Sequence, residues 1–364
     1  MKILPTFVEV KEIAATGHYN VLPVSLEILS DFTTPIETMK ILKNVSTHCY
    51  MLESAQANEM WGRYTFLGFD PKMEITCIDG EMKIGNLKVK ADNPSDYLRQ
   101  ILADYKSPRF DYLPSFTGGL VGYFSYDYLT YGEPTVKCDV EDTEVFKDVD
   151  LMLFDKVIAF DHLRQKIILI VNMSLDEPET GYNKAAMELK QLAELLKHGE
   201  KKNEPGGKLL AEEKELAEHN MLVDLGRNDL GKISKFGTVQ VEKLHSIERF
   251  SHVMHIGSTV RGEISENHDA LDAIEAVLPA GTLSGAPKIR ACQLIGALEN
   301  NKRGIYGGAI GYIDFTGNMD TCIAIRIAYK KNGKVFVRSG AGIVADSVPE
   351  NDFEECLNLS LIHI

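Results

Sequence analysis

The sequence predicts an α+β protein in which layered antiparallel sheets are flanked by helices. Three patterns carry that prediction. Between Tyr50 and about Asp176 short apolar runs alternate with turn residues, Tyr182 to Leu196 repeats its apolar positions at helical spacing, and beyond Lys208 helical and extended segments alternate around glycine-rich turns. A length of 364 residues sets a soft prior of about two domains.

In chain order, Met73 to Ile78 reads as a strand closed by the Asp79-Gly80 turn, and Leu151 to Phe160 and Lys166 to Asn172 read as further strands. Tyr182, Ala185, Ala186, Leu189, Leu192, Ala193 and Leu196 share one helical face opposite Lys184, Glu188 and Gln191. Packing against a core explains that helix fully. Residues 197–208 are charged and broken by Pro205, Gly206 and Gly207, which marks a surface linker and the best internal boundary. Beyond it, Ala211 to Leu225 reads as a helix and Arg249 to Glu263 as a strand. Ala270 to Val277 and Pro287 to Leu298 read as helices, with paired strands from Gly307 to Val344. The expected organisation is an N-terminal domain over 1–196, a junction at 197–210 and a second domain over 211–358. The tail 359–364 does not continue its pattern.

Composition removes several classes of function. With 44% hydrophobic and 25% charged residues the chain can build a large core, and its net charge of −14 argues against a broad nucleic-acid-binding face. A small anionic substrate is compatible with that charge if one or two Arg or Lys face a pocket. The six cysteines lack any Cys-x-x-Cys spacing, so they read as reduced thiols. No apolar run approaches the roughly 20 residues of a membrane span, and Glu9, Lys11 and Glu12 interrupt any signal-peptide core. The expected location is the cytoplasm.

Several groups can carry chemistry. Glu215 and Glu218 lie three apart on a predicted helix, and Asp352 and Glu355 repeat that spacing after Pro349. Two such pairs suit Mg2+, which takes carboxylate and water oxygens; solvated faces of acidic helices account for the same spacing. His255 alternates away from Met254, Ile256 and Val260 beside Gly257, where an imidazole can serve as acid or base or simply as a hydrogen-bonded strand residue. The turn Gly281 to Lys288 can bring helix-start amides and Lys288 to an anion. The run Ser339 to Ile343, with Gly340, Ala341 and Gly342, can present backbone N–H groups to a carboxylate. Either run can equally be a tight structural turn. Arg326 is expected inside an apolar strand, Thr321 to Ala328, paired with an acid or gripping a ligand carboxylate.

These residues stand in motifs of one family. AEHNMLVDLGRNDLG (217–231), VMHIGSTVRGE (253–263), GTLSGAPK (281–288), RGIYGGAIGY (303–312), DTCIAIRIA (320–328) and SGAGIVADSVP (339–349) follow one another in its order. The chain from Glu212 to Glu355 resembles the chorismate-using enzymes, and within them the anthranilate synthase large subunits. MLESA (51–55), GRYTFLGFDP (62–71) and FTGGLVGYFSYD (116–127) extend the resemblance towards the N-terminus. The resemblance implies conversion of chorismate and ammonia to anthranilate and pyruvate, with ammonia supplied by a glutamine amidotransferase partner. It implies Mg2+ on Glu218 and Glu355 with Glu215 and Asp352 supporting, and chorismate held by Tyr306, Arg326 and the amides of Gly340, Ala341 and Gly342. His255 would assist departure of the ring hydroxyl, and Glu53 and Ser54 would bind tryptophan as feedback inhibitor. Asp352 departs from the pattern by one methylene, since the family usually has Glu there.

The larger departure lies at Gly206 to Leu210. The family carries a long run of catalytic-domain strands at that point, including an AGTRPRG loop that lines the chorismate pocket, and this chain has none of it. Loss of such strands is expected to leave sheet edges and apolar faces uncovered. Two other readings stay open: the related aminodeoxychorismate synthase component, which Met254 and GTLSGAPK disfavour, and a chorismate- or tryptophan-binding protein without catalysis.

Overall fold

The computed structural model describes residues 2–53, 62–136, 140–200, 216–249, 254–344 and 347–361. The first sheet is assembled from β1 (Ile3–Leu4), β2 (Val21–Leu29), β3 (Cys49–Glu53) and β4 (Tyr64–Phe69), with two later strands. The second begins with β5 (Met73–Ile78), β6 (Glu81–Ile84), β7 (Leu87–Lys90), β8 (Gly119–Phe124) and β9 (Val149–Phe154). The chain then returns to the first sheet as β10 (Lys156–Asp161) and β11 (Lys166–Ser174). The C-terminal part adds β12 (Gln240–Arg249), β13 (Met254–Arg261), β14 (Ala309–Asp314), β15 (Met319–Ile323), β16 (Ala328–Lys331) and β17 (Lys334–Val337).

Strand order is β1-β2-β11-β10-β4-β3 in the six-stranded sheet and β15-β14-β8-β9-β5-β6-β7 in the seven-stranded one. All pairings within the two sheets are antiparallel. The seven-stranded sheet takes strands from both sides of residues 197–210, because β14 pairs with β8 in the register Gly311 to Gly122. Each of these glycines is required by the strand on its other side, β9 for Gly122 and β15 for Gly311. A Cβ at Gly122 would stand 2.0 Å from the Asp150 carbonyl oxygen, and one at Gly311 would stand 2.0 Å from that of Asp320.

The sheets face each other across Phe66, Phe116, Val121, Phe154, Ile170 and Tyr312, an aromatic layer in which the Phe116 and Tyr312 ring centroids are 4.3 Å apart. Helices cover the outer faces. The buried side of α5 (Pro178–His198), with Ala185, Leu189, Leu192 and Leu196, packs on the six-stranded sheet together with Val10 of α1 (Phe7–Ala15) and Leu42 of α2 (Pro35–Val45). Leu98 and Ile101 of α3 (Pro94–Asp104) and Leu271 and Ile274 of α7 (Ala270–Val277) cover the other sheet. Arg99 ties those two helices by bonding Asp269 and Asp272, and Asp269 also caps α7. The remaining helices are the short α4 (Leu129–Gly132), then α6 (Leu216–Gly231), α8 (Lys288–Glu299) and α9 (Pro349–Leu361). The expected class, layered antiparallel sheets flanked by helices, is the observed one.

Two strand expectations need correction. Leu151 to Phe160 is not one strand: β9 and β10 belong to different sheets, and the chain crosses at Asp155, a buried carboxylate 2.9 Å from the Lys72 ammonium. The strand read over Arg249 to Glu263 is β13 alone: Arg249 ends β12, its antiparallel partner, and residues 250–253 lie outside the described residues.

Candidate functional site

The segment 303–308 runs between the β8 end of the sheet and the start of β14, held by backbone bonds on both sides. Tyr126 N–H donates to the Gly304 carbonyl at 2.8 Å, Gly307 N–H to Ala324 at 2.9 Å, and Ala324 N–H to Gly308 at 2.9 Å. Gly304 and Gly307 have φ of 60° and 79°, a region that glycine enters without strain. The Gly304 N–H donates at 2.8 Å to Asp127, a buried carboxyl whose pKa is pushed up to about 6, chiefly by burial. These bonds leave Tyr306 buried, with only 5% of its surface exposed. Its hydroxyl pKa is raised by burial, against the nearby Arg303 guanidinium.

The Tyr306 hydroxyl reaches the glycine-rich loop after β17. A Cβ at Gly340 would lie 3.2 Å from that oxygen, so the bare backbone of Gly340 is what admits it. The loop is moored to α9, where the Ser339 hydroxyl donates at 2.7 Å to the Cys356 carbonyl. Burial raises the Cys356 thiol, the Ala341 backbone lowers it, and the charges of Glu355 and Asp352 raise it further. On α9, Asp352 is buried, its Oδ2 has no hydrogen-bond partner among the described residues, and Glu355 is half-buried one turn on. Tyr306 therefore meets Gly340, and Ala341 lies against Cys356 on the helix that also carries Asp352 and Glu355.

Other expected residues stand differently. Arg326 is not buried in a strand: β15 ends at Ile323, the Ile325 N–H folds back on the Ile323 carbonyl, and Arg326 sits exposed in a bend with φ of 53°. The strand stops because Ala324 spends both backbone groups on Gly307 and Gly308, which turns the chain out of the ladder. Lys288 is held in an internal ion pair. Its ammonium is 3.0 Å from Asp229 and 2.8 Å from the Val277 carbonyl, and burial lowers its pKa despite Asp229. Glu53 ends the edge strand β3, exposed and paired with Thr65. Glu218 lies on α6 and His255 on β13 opposite Glu248, although both side chains fall outside the described residues, as do Glu215 and Ser54 altogether. Gly342 is exposed. Among the described residues no three His, Cys, Asp or Glu side chains form a metal-holding group. A groove of 590 Å³ along the β12–β13 hairpin, bordered by Gln240, Glu242 and Arg261, includes none of the candidate residues.

Sequence reading missed the charges around Tyr306. Arg303 lies 4.7 Å from the Tyr126 ring centroid and 5.7 Å from that of Tyr306, with its fork on Glu299 at 3.0 and 2.5 Å. The four-residue spacing of Glu299 and Arg303 was the available signal.

The sequence pattern of the chorismate binding enzymes matches residues 47–206 and 196–358. The chain belongs to the chorismate-binding enzyme family. It is 35% identical to anthranilate synthase component 1 of Acetivibrio thermocellus, over 98% of this chain and 97% of that protein. It is 33% identical to the component 1 protein of Pseudomonas aeruginosa, over 96% of each. The crystal structure of anthranilate synthase component I from Streptococcus pneumoniae superposes with a TM-score of 0.72 at 29% identity, covering 92% of this chain and 98% of that one. The Acetivibrio alignment runs over 484 positions against 364 residues here, so at least 120 positions of that relative have no counterpart in this chain. The two matches to the family pattern overlap over residues 196–206, within the junction read from the sequence. Among the described residues no helix is long and apolar enough to cross a membrane.

Proposed function

We propose that this chain is the chorismate-converting component of an anthranilate synthase. The observation that supports the reading most directly is the seating of the Tyr306 hydroxyl on Gly340, which brings two family motifs into one cradle. In the proposed reaction ammonia adds to the chorismate ring, the ring hydroxyl leaves as water with help from His255, and pyruvate is eliminated to give anthranilate. Tyr306 and the amides of Gly340, Ala341 and Gly342 hold the substrate, and Arg326 closes on a carboxylate from its bend. The unpartnered, buried Oδ2 of Asp352 beside Glu355 fits a cation, which Glu218 and Glu355 would ligate and Glu215 and Asp352 would support. Bound there, Mg2+ would supply neutralisation of a substrate carboxylate in this acidic site. A glutaminase partner would deliver ammonia, and tryptophan would act at Glu53 and Ser54.

Incubation of the purified chain with chorismate, Mg2+ and ammonium at alkaline pH should generate anthranilate fluorescence. A second reading, binding without turnover, is favoured by the 120 or more positions of the Acetivibrio relative that find no counterpart here. Absence of anthranilate together with a melting temperature raised by chorismate or tryptophan would replace the first reading with the second.

A further inference from the structure

We propose that Glu299 is a positioning residue that holds the two halves of the cradle in register, an inference that rests on the reading of Tyr306 and the Gly340 loop as a substrate site. Glu299 is the last residue of α8, where a carboxylate opposes the helix dipole, so helix stability does not account for it. Two guanidiniums share it instead. Arg303 engages both of its oxygens and also donates at 2.8 Å to the Leu283 carbonyl in the glycine-rich turn before α8. Arg338 donates at 3.1 Å to Oε2 and at 2.9 Å to the Lys302 carbonyl.

The first guanidinium lies against the Tyr126 ring and near that of Tyr306, and the second belongs to the residue immediately before Ser339 and Gly340. The carboxylate is thus the common anchor of the tyrosine half and the loop half. An isolated exposed ion pair contributes little, but this one is a two-armed network whose Arg303 side chain is only 11% exposed. Without the anchor, Arg338 no longer pins the loop, and Gly340 can drift from the Tyr306 hydroxyl.

The test follows alkylation of Cys356, whose thiol the Ala341 backbone touches, resolved site by site by mass spectrometry in the full chain, with chorismate binding measured in parallel. Glu299→Gln should speed Cys356 labelling about tenfold, equivalent to about 1.4 kcal/mol of loop opening. Labelling of the exposed Cys322 should not change. Arg338→Gln, which keeps the Arg303–Glu299 fork, should reproduce the effect and covers the case in which Glu299→Gln fails to fold. Unchanged Cys356 labelling in the folded variants overturns the positioning role. Faster labelling in a chain whose parent form binds no chorismate overturns the proposed function alone. Where the parent binds, affinity should fall about tenfold in the same variants.

Discussion

The six-stranded sheet and the two ribbons of the C-terminal part solve the same problem with unequal success. In the sheet, β2, β11, β10 and β4 each have neighbours on both sides, and Leu22, Leu26, Ile158, Leu169 and Leu189 are fully buried between strands and α5. The β12–β13 and β16–β17 ribbons are two-stranded and pair with no further strand among the described residues. Around them Phe236, Val335, Ile343 and Phe353 stand exposed, Phe353 to 65%. Isolated two-stranded ribbons are marginal in water, and exposed apolar side chains of this size usually have a covering partner. The difference teaches where the 120 or more additional positions of the Acetivibrio relative matter. The N-terminal sheet pairs six strands without them, whereas the two-stranded ribbons and their exposed apolar neighbours all follow the junction at 196–206 in sequence.

The largest expected effect is in hydrogen exchange. Amides of β10, β11 and β2 should exchange about a thousandfold more slowly than those of the β12–β13 ribbon, since core strands open only with global unfolding and unsupported ribbons open locally. Comparable protection in the two regions would dissolve the contrast. Next in size is a pair of truncations. Leu169→Ala, in the middle of the six-stranded sheet, should cost about 3 kcal/mol in urea unfolding. Phe353→Ala should stay within about 0.5 kcal/mol, because its ring already faces water. A Phe353→Ala cost near that of Leu169→Ala would mean that a second copy or a ligand covers α9 in solution.

How far the sequence revealed this arrangement depends on whether the signal was local. Ala270 to Val277 was legible to the residue because Asp269 and Asp272 form a capping box around an apolar face. The split of β9 from β10 was not, since a continuous apolar run reads the same whether it stays in one sheet or changes sheets; only buried Asp155, paired with the exposed Lys72, marks the crossing. At the site, glycine spacing pointed to Gly340, and its contact with Tyr306 follows from packing of a loop on the distant turn segment before β14. Arg326 shows the converse. Its apolar neighbours suggested a continuing strand, and the strand ends because the Ala324 backbone is bonded elsewhere, which no local pattern encodes.

The seam between the N-terminal and C-terminal parts of the chain offers the smallest and most specific test. Asp127 lies in the N-terminal motif and accepts the Gly304 N–H from the C-terminal part. Burial raises its pKa to about 6, helped by the charges of Asp148 and Asp142 and opposed by the Gly304 N–H and Lys302. Because the folded value lies above the unfolded one, its contribution to stability is full below about pH 4 and is lost as the pH rises through about 6. Asp127→Asn keeps an acceptor for Gly304 and removes the buried charge. Its stability relative to the parent should therefore be greater at pH 8 than at pH 4.5, by about 2 kcal/mol. Urea unfolding across that range reads the difference directly. A difference that stays flat with pH would mean that Asp127 titrates as an ordinary carboxyl, and that water reaches the seam because the C-terminal part is not seated on β8 as tightly as the Gly304 bond requires.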